Sequence, residues 1–374
     1  LLLIANKPIL AHQLDQFVGL IDEVIIIVGY KSEMIRQQFG HEYRGIPLTY
    51  VEQQDQLGTG HAAMQVRPYI RDRFLLMNGD DLYARQDIEG CLGYPAALLA
   101  KAVADPRQYG VLTVENGVVK DLIEKPEHPA SNLTSIGMYV LDTRIFEILE
   151  TIPKSPRGEY EVTDAVQRFA QTTDVHCHIA QGYWLPVGFP WHILQANDLL
   201  LERYFEERPL QGTIEPGVTI HGRVSVGEGS IIRKGTTLQG NICIGKQCQI
   251  GPYCMMSGNT SIGDQSVLAY RTSVTNSVIE HNAQIEPFCT IAYSVLGEDV
   301  SIQSGLVTMS VPLKTKNVTS VVKGQVIDSG RDRLGTMIGS HVTVHPQAVT
   351  YPGVKIGSKA VIPAGTVVRE DWIA

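Results

Sequence analysis

No stretch of this sequence approaches the ~20 apolar residues that a membrane-spanning helix needs. Nothing near its start has the pattern of a secretory signal, so a cytoplasmic protein is expected. Cysteine is scarce: six in 374 residues cannot frame a disulfide scaffold. Positive charge is scarce as well. With 31 Lys and Arg against 39 Asp and Glu, the net charge is −8. Such a surface attracts neither nucleic acid nor an anionic membrane. It does not exclude phosphorylated metabolites, which a few placed cations, a helix N-terminus or Mg²⁺ can hold.

What is present is an unbroken period of six. Ile214, Ile220, Val226, Ile232, Leu238, Ile244, Ile250, Met256, Ile262, Leu268 and Val274 follow one another at that spacing. The phase slips and restarts at Ile279, Ile285 and Ile291, then at Leu296 and Ile302. It returns at Ile338, Val344, Thr350, Ile356, Ile362 and Val368. Neither an α-helix nor a half-buried strand has this period. A left-handed parallel β-helix does, because each of its three flat faces spans about six residues and turns one large aliphatic inward. Gly227, Gly245, Gly251 and Gly263 follow the aliphatics, and Pro216 and Pro252 come one later, as corners of special backbone geometry favour. Cys243, Cys248 and Cys254 cannot cluster on such a coil, where stacked residues are about 18 apart; small buried or corner residues are expected there.

The first part of the chain alternates strands and helices. Leu1 to Ala5 reads as the end of an element, and Pro8 opens an apolar helix. Val24–Val28 is a continuous apolar run of the kind buried on both faces of a parallel sheet. A helix is predicted over Ser32–Phe39, a strand over 47–51, a helix over 59–66 and a strand over Phe74–Met77. Strands follow at 111–114, Val118–Glu124 and 137–141, and helices at 143–150, 160–170 and 191–206. The fold class is therefore a Rossmann-like α/β domain over 1–207 and a left-handed β-helix over 208–374, with a crossing loop at 303–337. In doubly wound sheets ligands sit at the C-terminal ends of strands.

Asp80 stands at such an end, in the run FLLMNGDD, where a carboxylate can hold a divalent metal against phosphate oxygens. The alternative is a turn acid capping the next element. Residues 53–63 read QQDQLGTGHAA, with Gly58-Thr59-Gly60 between a strand and a helix. Exposed amides there can meet an anion or a base edge. A glutamine such as Gln53 carries donor and acceptor side by side, which matches the imide edge of uracil or thymine. A tight βα turn accounts for the GTG alone.

LGTGHA, Gly79-Asp80, Tyr109-Gly110, EKP at 124–126, IGMYVLD from Ile136 and GEYEVTDAV from Gly158 resemble sugar-1-phosphate nucleotidylyltransferases. Joined to a hexapeptide solenoid, they are similar to the bifunctional uridylyltransferase/acetyltransferases that make UDP-N-acetylglucosamine, in their archaeal-type and bacterial forms. The resemblance implies that UTP or dTTP and a sugar-1-phosphate (of glucose or N-acetylglucosamine) give a nucleotide sugar and pyrophosphate. It assigns Gln53, Gly58 and Thr59 to the nucleotide, Asp80 to Mg²⁺, Gly110, Glu124 and Glu159 to the sugar, and Lys125 to the phosphates. It also implies a homotrimer assembled through parallel helices. Without the resemblance, Glu124 and Lys125 read as a surface ion pair and Glu159 as a helix-start acid.

Three departures bear on function. The family's glycine-rich phosphate loop lies upstream of a stretch like LLLIANKPIL, so the resemblance places that loop before Leu1. Where many relatives carry a second metal-binding Asp in a W-x-D-x-G stretch, this chain has Pro186 between Trp184 and Gly188. An acetyltransferase needs a base for the amine proton, and 286–293, just before SVLG, holds no histidine. His341 and His345 could stand in for it, or be corner histidines. Lys323, Arg331 and Arg333 could hold a phosphate, such as that of acetyl-CoA, or be solvated. Three readings follow: a nucleotidylyltransferase with a structural solenoid, a sugar acetyltransferase working through the solenoid, and a non-catalytic nucleotide-sugar-binding regulator.

Overall fold

The computed structural model describes residues 2–205, 210–312 and 316–373. Two compact units form: residues 10–186, and residues 2–9 together with 187 onward. Glu206 and the expected boundary at 207 lie outside the described residues.

The first unit contains α1 (Ile9–Phe17), β1 (Val24–Val28), α2 (Ser32–Phe39), β2 (Ile46–Glu52) and α3 (Thr59–Gln65). β3 (Phe74–Met77), β4 (Asp81–Tyr83), α4 (Arg85–Leu92), β5 (Ala97–Ala102), β6 (Gly110–Glu115), β7 (Val118–Glu124) and β8 (Leu133–Leu141) follow. α5 (Arg144–Leu149), α6 (Val162–Ala170), β9 (His176–Ile179) and β10 (Trp184–Pro186) complete it. β1 and β2 pair in parallel, as the apolar run of β1 foretells, but four of its five residues are half-buried rather than buried on both faces. The larger sheet has the order β3-β8-β5-β9-β7-β6, with β8 also pairing β6. It is mixed rather than parallel: only β5 and β9 run together, and the other pairs are antiparallel. Helix-connected parallel strands thus give way to hairpins beyond Ala96, where the sequence becomes rich in short strands.

In the second unit the period of six becomes a left-handed β-helix. Ile214, Ile232, Ile250 and Leu268 stack in parallel pairs eighteen residues apart. Ile285 then pairs with Leu268 and Ile302 with Ile285 at seventeen, which is the phase slip seen in the sequence. Ile244, Ile262, Leu268 and Val274 are buried in one continuous core; Ile220, nearer the open end, packs against it half-buried. The expected crossing loop begins later than 303, since Val307 and Thr308 still pair with Val349 and Thr350. It carries a hairpin of Thr319–Val322 and Gln325–Asp328. α7 (His192–Arg203) belongs to this unit: its Asn197 donates to the Asn259 carbonyl (3.0 Å) and accepts from Ser261 Oγ (3.0 Å). The six cysteines form no disulfide, and Cys248 and Cys254 are buried in the coil.

The corners differ in part from the sequence expectation. Left-handed residues come three positions after many of the aliphatics, at Gln247, Tyr253, Gln265, Arg271, Asn282, Phe288, Asp299 and His341, and two positions after Val274 and Ile291, at Asn276 and Tyr293. Of the glycines directly after an aliphatic, Gly251 does take a left-handed φ of 97°, whereas Gly227, Gly245 and Gly263 serve close stacking. A Cβ on Gly263 would lie 2.6 Å from the backbone carbon of Glu280 in the next coil, a contact that only backbone displacement relieves. Gly263→Ala should therefore destabilise the solenoid by about 1–3 kcal/mol. Gln265→Gly, at φ 60°, should be neutral or stabilising by about 1 kcal/mol. Denaturant unfolding of the two variants separates these causes; a fully stable Gly263→Ala contradicts the stacking role.

Candidate active site

Strand register assembles the site. Where β3 ends, the Asn78 N–H donates to the Gly137 carbonyl of β8 (3.0 Å). Gly137 has φ 75°, and a Cβ there would stand 2.1 Å from Asn78 Nδ2. Only glycine permits this bulge, which shows as a register shift between Ser135 and Tyr139 against β5. Gln13 of α1 adds two bonds from Nε2, to the carbonyls of Asn78 (2.8 Å) and Asp81 (2.6 Å). The turn Asn78-Gly79-Asp80 is thus held on both sides. Asp80 is exposed on it and lines, together with Gln53, Thr59, Gly137 and Tyr139, a cavity of about 900 Å³ whose remaining walls are largely the apolar side chains of β1 and β3.

Asp81 is turned inward. Its Oδ2 accepts from Tyr83 Oη (3.0 Å), Trp184 Nε1 (3.1 Å) and Asn78 Nδ2 (3.4 Å). Burial is the main cause that pushes this carboxyl up to about 6, and the neighbouring Asp80 charge adds to it. Only Asp80 of the pair is therefore offered to the cavity. Pro186 of β10 lies opposite Asp81, so the place of a second metal-binding aspartate, as implied by resemblance, is beside this turn and holds a proline. One exposed carboxylate backed by phosphate oxygens still fits Mg²⁺, which takes few protein ligands and keeps several others.

Across the sheet, Gly110 of β6 pairs with Ser135 of β8 on one side and Glu124 of β7 on the other. A Cβ on Gly110 would sit 2.9 Å from Leu122 Cδ1 and 3.4 Å from Glu124 Oε2. The absent side chain leaves room for the carboxylate. Glu124 Oε2 accepts from Thr163 Oγ1 (3.1 Å), and burial raises its pKa above the usual carboxylate range. Lys125 Nζ stands 3.9 Å from Glu124. Glu159 is half-buried, 3.8 Å from Arg157. Gly110, Glu124, Lys125 and Glu159 form this second group and do not line the cavity with Asp80.

The two groups are tied together by α3 and α6. The Tyr160 N–H donates to the Leu57 carbonyl (2.8 Å), and the Gly60 N–H to that of Tyr160 (2.8 Å). Gly58 precedes α3, and a Cβ there would fall 2.6 Å from the Tyr160 oxygen. Thr59 Oγ1 accepts from the Val162 N–H (3.1 Å), satisfying a donor at the start of α6. Part of the hydrogen-bonding capacity of Thr59 is thus structural. Arg157 is the residue that sequence reasoning missed. Its guanidinium reaches Glu161 (2.7 Å), Glu124 (3.7 Å) and Glu159 (3.8 Å). A lone arginine just before GEYE, with acids at 159 and 161 and another in EKP, was the available signal.

In the solenoid unit, His341 occupies a left-handed corner, its Nδ1 3.4 Å from Asp299. His345 Nδ1 lies 3.0 Å from Gln303 Oε1. Arg331 is committed to Asp198 (3.0 Å), and Arg333 lies over the Tyr293 ring. Among the described residues, no helix is long and apolar enough to cross a membrane.

Comparison with known proteins agrees with this architecture. The family model "Nucleotidyl transferase" matches residues 1–203, "GMPPB C-terminal domain" residues 212–327, and "Bacterial transferase hexapeptide (six repeats)" residues 335–370. The chain is 36% identical over 370 residues to the "Bifunctional protein GlmU" of Methanocaldococcus jannaschii, covering 98% of this chain and 89% of that protein. It is 33% identical over 375 residues to the "Bifunctional sugar-1-phosphate nucleotidylyltransferase/acetyltransferase" of Sulfurisphaera tokodaii, covering 98% and 91%. A putative glucose-1-phosphate thymidylyltransferase from Bacillus anthracis, solved with sucrose, is 24% identical with a TM-score of 0.50 over 55% of this chain and 87% of that one. That likeness speaks for the fold alone. By an α/β domain carrying the nucleotidyl transferase match and by similarity along nearly its whole length, the chain belongs to the nucleotidyltransferase family of enzymes, in its branch with a C-terminal hexapeptide β-helix.

Proposed function

We propose that this enzyme joins a pyrimidine nucleoside triphosphate, UTP or dTTP, to a sugar-1-phosphate of the glucose or N-acetylglucosamine type. A phosphate oxygen of the sugar-1-phosphate attacks the α-phosphorus; the α–β bridging bond breaks, and pyrophosphate leaves with the electron pair. The observation that carries this reading is the rung Glu124–Gly110–Ser135 on β7, β6 and β8, with the Asp80 turn bonded to β8 two residues on, at Gly137. One sheet thereby presents a carboxylate for sugar hydroxyls and a carboxylate for a metal. Gln53 and the backbone of Gly58 would take the base, and Glu124 and Glu159 the sugar. Lys125 would face the phosphates. Mg²⁺ held by Asp80 would shield crowded phosphate oxygens, and the residues' share is chiefly alignment.

A homotrimer fits the solenoid's surface. Tyr253 (55% exposed), Phe288 (52%) and Met255 (46%) leave apolar side chains open on neighbouring coils, and a closed threefold contact would cover them. Cytoplasmic residence is the matching location, since six unbridged cysteines suit a reducing compartment. Acetyl transfer from acetyl-CoA is a second reading, favoured by the name of the Sulfurisphaera relative and by the His341–Asp299 pair as a candidate base. Thiol release from acetyl-CoA in the presence of an amino-sugar phosphate, abolished by His341→Asn, would support it.

Two measurements check the main reading. Pyrophosphate release should require Mg²⁺, a pyrimidine triphosphate and a sugar-1-phosphate. Asp80→Asn should lower it ~10²-fold or more, equivalent to about 3 kcal/mol of transition-state stabilisation. If no triphosphate and sugar-1-phosphate pair releases pyrophosphate, the proposal fails. In light scattering the protein should show three times the 41.1 kDa chain mass. A monomer at micromolar concentration contradicts the trimer.

A further inference from the structure

The Gln53 side chain is tied by its own neighbourhood before any ligand arrives. Its Nε2 lies 3.3 Å from the Gly58 carbonyl oxygen and 3.0 Å from His61 Nδ1. A carbonyl has no hydrogen to give, so Gly58 demands the nitrogen end of the amide on that side. That orientation turns the second amide hydrogen toward Nδ1, and this contact, the shorter of the ring's two amide approaches (3.0 against 3.3 Å), assigns Nδ1 as the bare, accepting nitrogen. Both hydrogens are spent, and Oε1 is what Gln53 has left for the cavity. Gln53 lines that cavity and His61 does not. One turn further along α3, Gln65 Nε2 donates to the His61 carbonyl (3.0 Å). Its looser approach to ring Nε2, at 3.3 Å, sets donor against donor in this tautomer and is not a bond.

We infer that His61 is a specificity-determining positioning residue: its unprotonated Nδ1, with the Gly58 carbonyl, locks the Gln53 amide so that the site accepts a ring N–H and rejects a ring acceptor. Uracil and thymine carry an N–H at ring position 3. Cytosine carries a lone pair there, and would face Oε1 acceptor to acceptor. A polar site built for one pattern discriminates strongly against its inverse, because the mismatched groups stay desolvated and unpaired. Without Nδ1 the amide is held only by the longer contact to the Gly58 carbonyl (3.3 Å), so the rotation that offers its NH₂ to cytosine becomes less costly. His61 thus acts through Gln53 and touches no substrate. This deepens the reading of Gln53 as the base contact and rests on it.

The test is the ratio of kcat/KM for UTP to that for CTP, measured with one sugar-1-phosphate, in wild type, His61→Phe, His61→Asn and Gln53→Ala. Phenylalanine keeps the ring's bulk without its acceptor, and the ratio should fall by about 10-fold or more. Asparagine places Oδ1 close to where Nδ1 stood, so the ratio should be largely retained. A general loss of packing would lower both substrates together and leave the ratio unmoved. If Gln53→Ala collapses the ratio while His61→Phe does not, His61 has no such role. A ratio unchanged even in Gln53→Ala removes the base reading itself. The ring can also be read without substitution, by long-range ¹H–¹⁵N spectra of the wild-type protein. Hydrogen on Nε2 with a bare Nδ1 is required; hydrogen on Nδ1 overturns the inference whether or not the variants fold.

Discussion

The bond from the Asn78 N–H to the Gly137 carbonyl is where the first unit's sheet becomes a site. It can form only because residue 137 lacks a side chain and takes a left-handed φ. The bulge it stabilises lets β8 pair with β3 beyond it and with β6 before it. Through those pairings the Asp80 turn, Gly110 and Glu124 are positioned by one strand, not by three independent loops. Precision of this kind comes from the backbone ladder, whose register is stiff, so the long side chains need only small adjustments.

The same economy of small residues recurs in the solenoid, with a different physical cause. There, glycine after an aliphatic answers to the closeness of the next coil, as at Gly263. Left-handed corners tolerate glutamine, tyrosine, arginine and histidine, because parallel hydrogen bonds from coils on either side over-determine the conformation. A coil can therefore spend its corners on chemistry or contacts, and Tyr253 and Phe288 are exposed at two of them.

Much of this was legible in the sequence. The period of six announced the solenoid, and its slip of phase foretold the change from eighteen- to seventeen-residue stacking at Ser261–Val278 and Leu268–Ile285. Motif order selected Gln53, Asp80, Gly110 and Glu124, which the fold arranges in two linked groups. Less legible were effects that depend on three-dimensional neighbours. Asp80 and Asp81 are adjacent and chemically alike, yet only Asp81 meets Trp184 from 103 residues away and is drawn inward. Thr59 gives up acceptor capacity to an amide in another helix. Arg157 gains its importance from Glu124, an acid on a separate strand. The corner expectation held at Gly251 but not at Gly227, Gly245 and Gly263, because glycine has two uses, left-handed backbone and close approach, and a sequence does not say which applies.

The reaction is most directly tested in reverse. Folded protein would be given a UDP-sugar or dTDP-sugar with excess pyrophosphate and Mg²⁺, and followed by ³¹P NMR. Growth of nucleoside triphosphate and sugar-1-phosphate resonances in equal amounts, at the expense of the nucleotide sugar, is the predicted result. Nucleotide sugars that remain unchanged, although the protein binds them, would contradict nucleotidyl transfer and leave a binding protein in its place.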